Sequence, residues 1–328
     1  MKSECERGYN PQQTSWRDSC RCCDDKMHLN LNAQQSPTPS LCFITPSFRD
    51  DIDQFALLRE SINCFAPGIA HLALVHTEDY GRFRRRFRSE PGLEIVKTSA
   101  VLPFSVEWKR RKSGPRWRTG SWLWGPRIKG WHAQQLAKIF GLANCRHEAA
   151  VFLDSDVLIC RELESKYFFV DGHLKLFRQQ AVNAESLDFD ISTHDIIGNP
   201  LHEITRLYDY VFHPTCFRKS TALRLLEELE RRRRTQTRWM RKFLSERRPS
   251  EYNLLGYAAT VLEGCAHYHL IECHPSELHH SVRFPEDRSH FAAEMERMLA
   301  QPKPFALVQS TLRIDPAQIA SFFHRLVK

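Results

Sequence analysis

An apolar run, Ala149-Ala150-Val151-Phe152-Leu153, leads into Asp154-Ser155-Asp156 and continues as Val157-Leu158-Ile159. Two carboxylates two residues apart on an extended chain point the same way. Such a pair can hold a hard divalent ion that also grips a diphosphate. The same spacing fits a capped turn in which one Asp accepts backbone hydrogen bonds. Placement favours chemistry, because ligands of open α/β sheets bind outside the carboxyl ends of strands, where this pair falls.

Several elements must position that pair. Leu41-Cys42-Phe43-Ile44-Thr45 is a β-prone run closed by Pro46-Ser47, and Asp51 to Cys64 carries Ile52, Phe55, Leu58 and Ile62 at helical spacing. His71 to His76 gives a second buried strand, Tyr80 to Arg88 a basic helix, and Leu93 to Thr98 a third strand. A helix over 129–142 feeds the acidic strand, which is expected to run unbroken from Ala149 to Ile159. Strands alternating with helices predict an α/β fold: a doubly wound, mainly parallel sheet with helices on both faces. The polar first 38 residues predict a disordered leader, residues 39–285 the main domain, and residues 286–328 a strand and helix that pack back on it.

The run Phe152-Leu153-Asp154-Ser155-Asp156-Val157 after a strand, with Gly130-Trp131-His132-Ala133-Gln134-Gln135 upstream, resembles the GT-A class of nucleotide-sugar-dependent glycosyltransferases. It looks most like a little-characterised bacterial branch of that class. The likeness extends to Phe43-Ile44-Thr45-Pro46-Ser47 and to Pro249-Ser250-Glu251-Tyr252, and covers roughly residues 41–312. It implies a Rossmann-type GT-A fold, a nucleotide-sugar donor, a glycan or lipid-linked acceptor, and Mn²⁺ or Mg²⁺. Asp156 would ligate the metal, while Asp154 would reach the ribose or, through water, the metal. Thr45 and Ser47 would frame the nucleotide, with Trp131 and Gln135 on the donor side. The class often adds a late histidine as a further ligand, for which His279 or His280 is the choice in this chain. A base for the acceptor hydroxyl is sought in Glu251, before a helical stretch, and in Asp195, which with His194 precedes the Gly198-Asn199-Pro200 turn.

Charge is segregated. Arg82 to Lys129 holds 14 Lys or Arg against 3 Glu, and Arg224 to Arg248 holds 10 against 4, which leaves the rest of this +8 chain acidic. Such windows attract polyanions, whether nucleic acid, an anionic membrane or a pyrophosphate-bearing substrate. Residues 101–129 read as a long loop in which Trp108, Trp117, Trp122 and Trp124 interleave with basic residues, able to stack on sugars or bases. Leu223 to Leu244 reads as one amphipathic helix whose arginines suit an anionic membrane or a solvated face.

Two rival functions are weighed. A nucleic-acid-binding protein would suit the basic Arg/Trp windows, yet no zinc-finger, helix-turn-helix or RRM pattern is present, so nucleic acid is not the expected partner. A sugar-phosphate nucleotidyltransferase would carry a glycine-rich loop after the first strand, where Thr45-Pro46-Ser47-Phe48-Arg49-Asp50 has no glycine. The longest apolar run falls short of the roughly 18 residues of a membrane span, and the first thirty residues lack an apolar signal core. A cytoplasmic protein is expected, with peripheral contact at the inner face of a membrane as an option. Of eleven cysteines, Cys5, Cys20, Cys22 and Cys23 lie in the leader without the paired spacing of a zinc site, and the other seven sit singly, mostly among apolar neighbours.

Overall fold

The computed structural model describes residues 39–110, 130–199, 207–273, 279–282, 290–301 and 303–327. The leader with its four cysteines, and the loop carrying Trp117, Trp122 and Trp124, lie outside the described residues.

In chain order the elements begin β1 (Leu41–Ser47), α1 (Ile52–Phe65), β2 (Ala70–Val75), α2 (Tyr80–Arg86), β3 (Leu93–Lys97), α3 (Thr98–Val101), α4 (Phe104–Arg110), α5 (Gly130–Asn144) and β4 (Ala149–Phe152). There follow β5 (Val157–Ile159), β6 (Phe169–Val170), β7 (His173–Gln180), α6 (Ala184–Ile197), β8 (Tyr208–Asp209), β9 (Thr215–Arg218), α7 (Lys219–Arg233), α8 (Gln236–Ser245) and α9 (Glu251–Tyr257). The chain ends through β10 (Tyr268–Glu272), β11 (His279–Val282), α10 (Phe291–Ala300), β12 (Phe305–Val308) and α11 (Pro316–Val327).

The central sheet runs β3-β2-β1-β4-β9, parallel except for β9. Residues 42–47 of β1 are all buried, as expected of a central strand covered on both faces. On β2, Ala73 and Val75 join Phe55 of α1 and Phe83 of α2, whereas Leu74 points the other way, onto Gly141 of α5. Alternation of side chains therefore puts α1 and α2 on one face and α5 on the opposite one. The fold is the expected α/β class. Its strand order reverses between β1 and β4, and that switch point is where such sheets open a crevice for ligands.

The run 149–159 is not one strand. β4 stays in the central sheet, while β5 joins a second sheet of order β11-β12-β5. The break falls at the acidic pair: Val157 N–H donates to Asp154 O at 3.1 Å, and Ser155 Oγ lies 2.9 Å from Ser47 Oγ and 3.3 Å from Pro46 O. A four-residue turn, 153–156, bonded to the end of β1, separates the two strands. The basic stretch 223–244 is likewise two helices. Arg234 adopts φ 68°, and the Thr235 side chain accepts from Arg238 N–H to start α8 afresh.

The C-terminal segment is built into the fold. β12 lies between β11 and antiparallel β5, and Ile319 and Phe323 of α11 share an apolar core with Leu57 of α1. Among the described residues, no helix is long and apolar enough to cross a membrane.

Candidate active site

A cavity of about 750 Å³ opens beyond the carboxyl ends of β1, β2 and β4. Its walls come from Ser47 and Asp51 after β1, His76 and Asp79 after β2, Asp154 to Asp156 after β4, His213 before β9, and Gln309 to Thr311 after β12. From α5 it receives Gly130, Trp131, Gln134 and Ala137, the spacing of one helical face.

Asp156 is held from the far end of the chain. Its Oδ2 accepts from Ser310 N–H and its backbone oxygen from Val308 N–H, each at 3.0 Å. Its Oδ1 is buried without a hydrogen-bond partner. Burial, together with the charge of Asp154, raises the Asp156 carboxyl to about 6. Asp51 feels the same field: burial first, then Asp156 and Asp154, push its carboxyl up to about 7. Asp51, Asp154 and Asp156, with Asp79 also on the wall, give the cavity a field that favours a cation.

Asp154 has a neutralising partner. Buried Lys138, one turn along α5 from Gln134, places Nζ 2.6 Å from Asp154 Oδ1, 2.8 Å from Glu251 Oε1 and 3.0 Å from Tyr252 Oη. Burial alone would raise the Asp154 carboxyl, but Lys138 and His213 outweigh it and leave it below the usual range. Burial likewise works against the Lys138 ammonium, yet Asp154 and Glu251 hold its pKa well above the ordinary value. His213 Nε2 sits 3.9 Å from Asp154 Oδ2, with Nδ1 3.3 Å from Tyr252 Oη.

The structure therefore gathers Ser47, Trp131, Asp154 and Asp156 around one cavity. It puts the other sequence candidates elsewhere. Thr45 is fully buried, its Oγ1 2.9 Å from His71 Nε2, and His71 Nδ1 in turn lies 3.1 Å from Arg59 Nη1, so Thr45 serves a polar cluster within the layers. Gln135 is buried off the cavity, and its neighbour Gln134 holds the lining position. Glu251 is buried too and faces Lys138, because Ser250 caps α9 by accepting from Asn253 N–H and turns the first helical residue inward. Asp195 lies on the outer side of α6, 2.6 Å from Lys242 Nζ; the Asn183 capping box and Gly198 make 184–197 helical, so His194 and Asp195 form no catalytic loop. His279 and His280 belong to β11 and do not line the cavity; His280 Nε2 lies 2.9 Å from Gln301 O and Nδ1 3.5 Å from Glu294 Oε1.

Residues that the sequence did not single out complete the site. Asp51 belongs to the acidic run Asp50-Asp51-Ile52-Asp53 directly after β1, which was a usable signal. His213 and Lys138 carried none, since their roles arise only where β4, α5 and the 210–214 segment meet.

These features define a doubly wound α/β domain with an acid-lined ligand cavity at its switch point. The chain belongs to DUF6492, described as a family of unknown function, which it matches over residues 40–327. No curated protein matches it. Among solved structures it is similar to the WbbM bifunctional glycosyltransferase in apo form, at 11% identity and TM-score 0.38, over 82% of this chain and 45% of that one. It is also similar to the galactosyltransferase LgtC in complex with donor and acceptor sugar analogs, at 9% identity and TM-score 0.40, over 87% and 96%. The glycosyltransferase GlyE of Streptococcus pneumoniae TIGR4 gives 8% identity and TM-score 0.40, over 87% and 62%. The chain spans less than half of WbbM and under two thirds of GlyE.

Proposed function

We propose that this protein transfers a sugar from a nucleotide-diphosphate donor to a hydroxyl of a glycan or lipid-linked acceptor, assisted by Mn²⁺ or Mg²⁺. The observation that carries it is the buried, unbonded Oδ1 of Asp156 in a cavity at the strand-order switch point, with Asp154 and Asp51 beside it. In the reaction, an acceptor oxygen bonds to the anomeric carbon, the bond from that carbon to the diphosphate breaks with its electron pair going to the diphosphate oxygen, and the acceptor proton passes to solvent. The diphosphate departs with added negative charge.

The donor set suits a hard cation. Asp156 offers one oxygen fixed by Ser310 and one with no other partner. Among the described residues no three His, Cys, Asp or Glu side chains are close enough to enclose an ion by themselves. That fits an ion of the magnesium type, which keeps waters and takes substrate phosphates alongside one or two carboxylates. Such an ion would supply charge neutralisation for the leaving diphosphate.

The chain's own groups have distinct tasks. Lys138 fixes the Asp154 carboxylate from below, and Ser155, bonded to Ser47, sets the turn that carries both acids. The half-exposed Trp131 ring, edge-on to His132, provides a flat apolar face for a sugar or base. Glu251 acts as a positioning residue through Lys138.

The test is thermal stability against a panel of nucleotide diphosphates and nucleotide sugars, with Mn²⁺ and with chelator. A ligand at about 100 times its dissociation constant adds about 2.7 kcal/mol. A shift that needs both the metal and one nucleotide, and that vanishes in Asp156→Ala, supports the proposal. Absence of a shift with every donor, or a full shift in Asp156→Ala, overturns it.

A further inference from the structure

Helix α2 carries Arg82, Arg84, Arg85 and Arg86, with Arg88 just beyond its end, and all five are exposed. The helix is pinned by Phe83 and Phe87, buried against Phe55, at ring-centroid distances of 5.5 and 5.1 Å. With those two rings facing inward, the intervening arginines are forced to the surface. Arg86 pairs with Asp53 at 3.0 Å. Arg82, Arg84, Arg85 and Arg88 make no ion pair among the described residues.

Nearby acids do little to offset this charge. Between Tyr80 and Lys97 there are six basic residues and two acidic ones. One of the acids, Glu90, is already engaged by Asn63 at 2.9 Å and Arg59 at 3.5 Å. Lys97, at the end of the edge strand β3, lies over the Tyr80 ring at 4.8 Å and extends the same patch.

The other arginine run in the fold behaves differently. Arg231 and Arg232 grip Glu228, Arg232 also reaches Asn199, and Arg233 donates to the carbonyls of Asp195 and Ile196 at the end of α6. Those side chains are spent on internal partners. Arg82, Arg84 and Arg85 of α2, with Arg88 just beyond it, are available for an external one.

The patch adjoins the cavity, since Asp79, the residue before α2, lines it. We infer that α2 is a docking surface for an anionic lipid bilayer, which would bring the cavity mouth to the membrane surface. The inference goes beyond the proposed sugar transfer and stands without it, because it needs no donor to test. A planar sheet of phosphate headgroups matches several guanidinium forks displayed together on one short, rigidly anchored helix.

The experiment is co-sedimentation of the full chain with vesicles of phosphatidylglycerol and phosphatidylcholine, against phosphatidylcholine alone, at low and high salt. Binding is expected only to the anionic vesicles, and is expected to be lost at high salt. Arg84→Ala with Arg85→Ala should lower the partition coefficient roughly thirtyfold, at about fivefold per arginine. Arg238→Ala with Arg241→Ala, exposed on α8 and equal in charge, should leave it within about twofold of the parent. Equal loss in both double variants would mean attraction by net charge alone and would overturn the α2 assignment. So would binding to neutral vesicles, no vesicle binding at all, or salt-sensitive binding to RNA or DNA without vesicle binding.

Discussion

Buried Lys138 contacts the partly exposed Asp154 carboxylate at 2.6 Å, which ties α5 to the acidic turn after β4. Glu251 closes the triad from α9, so one ammonium serves two carboxylates. Taking a single member from such a set leaves an uncompensated buried charge, which costs about 3–5 kcal/mol. Lys138→Met is expected to lose stability of that order in urea unfolding. Adding Glu251→Gln should restore part of it, because one stranded carboxylate is then neutral; a double variant as unstable as the sum of its singles would count against the triad.

Asp190, buried in α6, should make stability fall as pH rises. Burial is the main cause raising its carboxyl to about 7, and the Tyr208 N–H at 3.3 Å only partly opposes it. A folded-state pKa above the unfolded value means that the folded chain binds more protons between about pH 4 and 7. Stability from this group is therefore present at low pH and lost across that window. Asp190→Asn keeps an oxygen for Tyr208 and removes the charge. At 1.36 kcal/mol per unit, it should be up to about 4 kcal/mol more stable than the parent at pH 8 and equal to it near pH 4. Parallel pH profiles for the two proteins would contradict this.

Gly256 on α9 has no room for a side chain. A Cβ there would stand 2.3 Å from Tyr210 Cγ, and Tyr210 is fixed by its N–H to Asn253 Oδ1 and its hydroxyl 3.2 Å from Thr260 Oγ1. Gly256→Ala is expected to cost about 1–3 kcal/mol by overpacking, despite alanine's better helix propensity. Gly68, with nothing near its Cβ position, is the comparison: Gly68→Ala should shift the unfolding midpoint little.

Much of the fold was legible because it depends on local pattern. The alternation of Phe43-Ile44, Leu72-Ala73-Leu74 and Val151-Phe152 with helices bearing Phe55, Leu58 and Leu136 gives the parallel sheet directly. The placement of Asp154 and Asp156 at the cavity was legible for the same reason, since it follows from the strand before them. Where the reading failed, the deciding contacts are distant in sequence. Nothing near residue 251 shows that Glu251 will meet Lys138 113 residues earlier. Gln135 and Gln134 differ only by 100° of helical phase, which a one-residue error in placing the helix face inverts. His279 and His280 were chosen as the late histidines that the resemblance implies, and the pairing of β11 with β12 places them away from the cavity, with His280 against Glu294 of α10.

The grip of Ser310 and Val308 on Asp156 spans 154 and 152 residues of chain. Contacts of such long loop closure form late, after local helices and neighbouring strands. The acid on the cavity wall is therefore among the last groups to be fixed in place, and it stays untethered until the 308–310 segment docks.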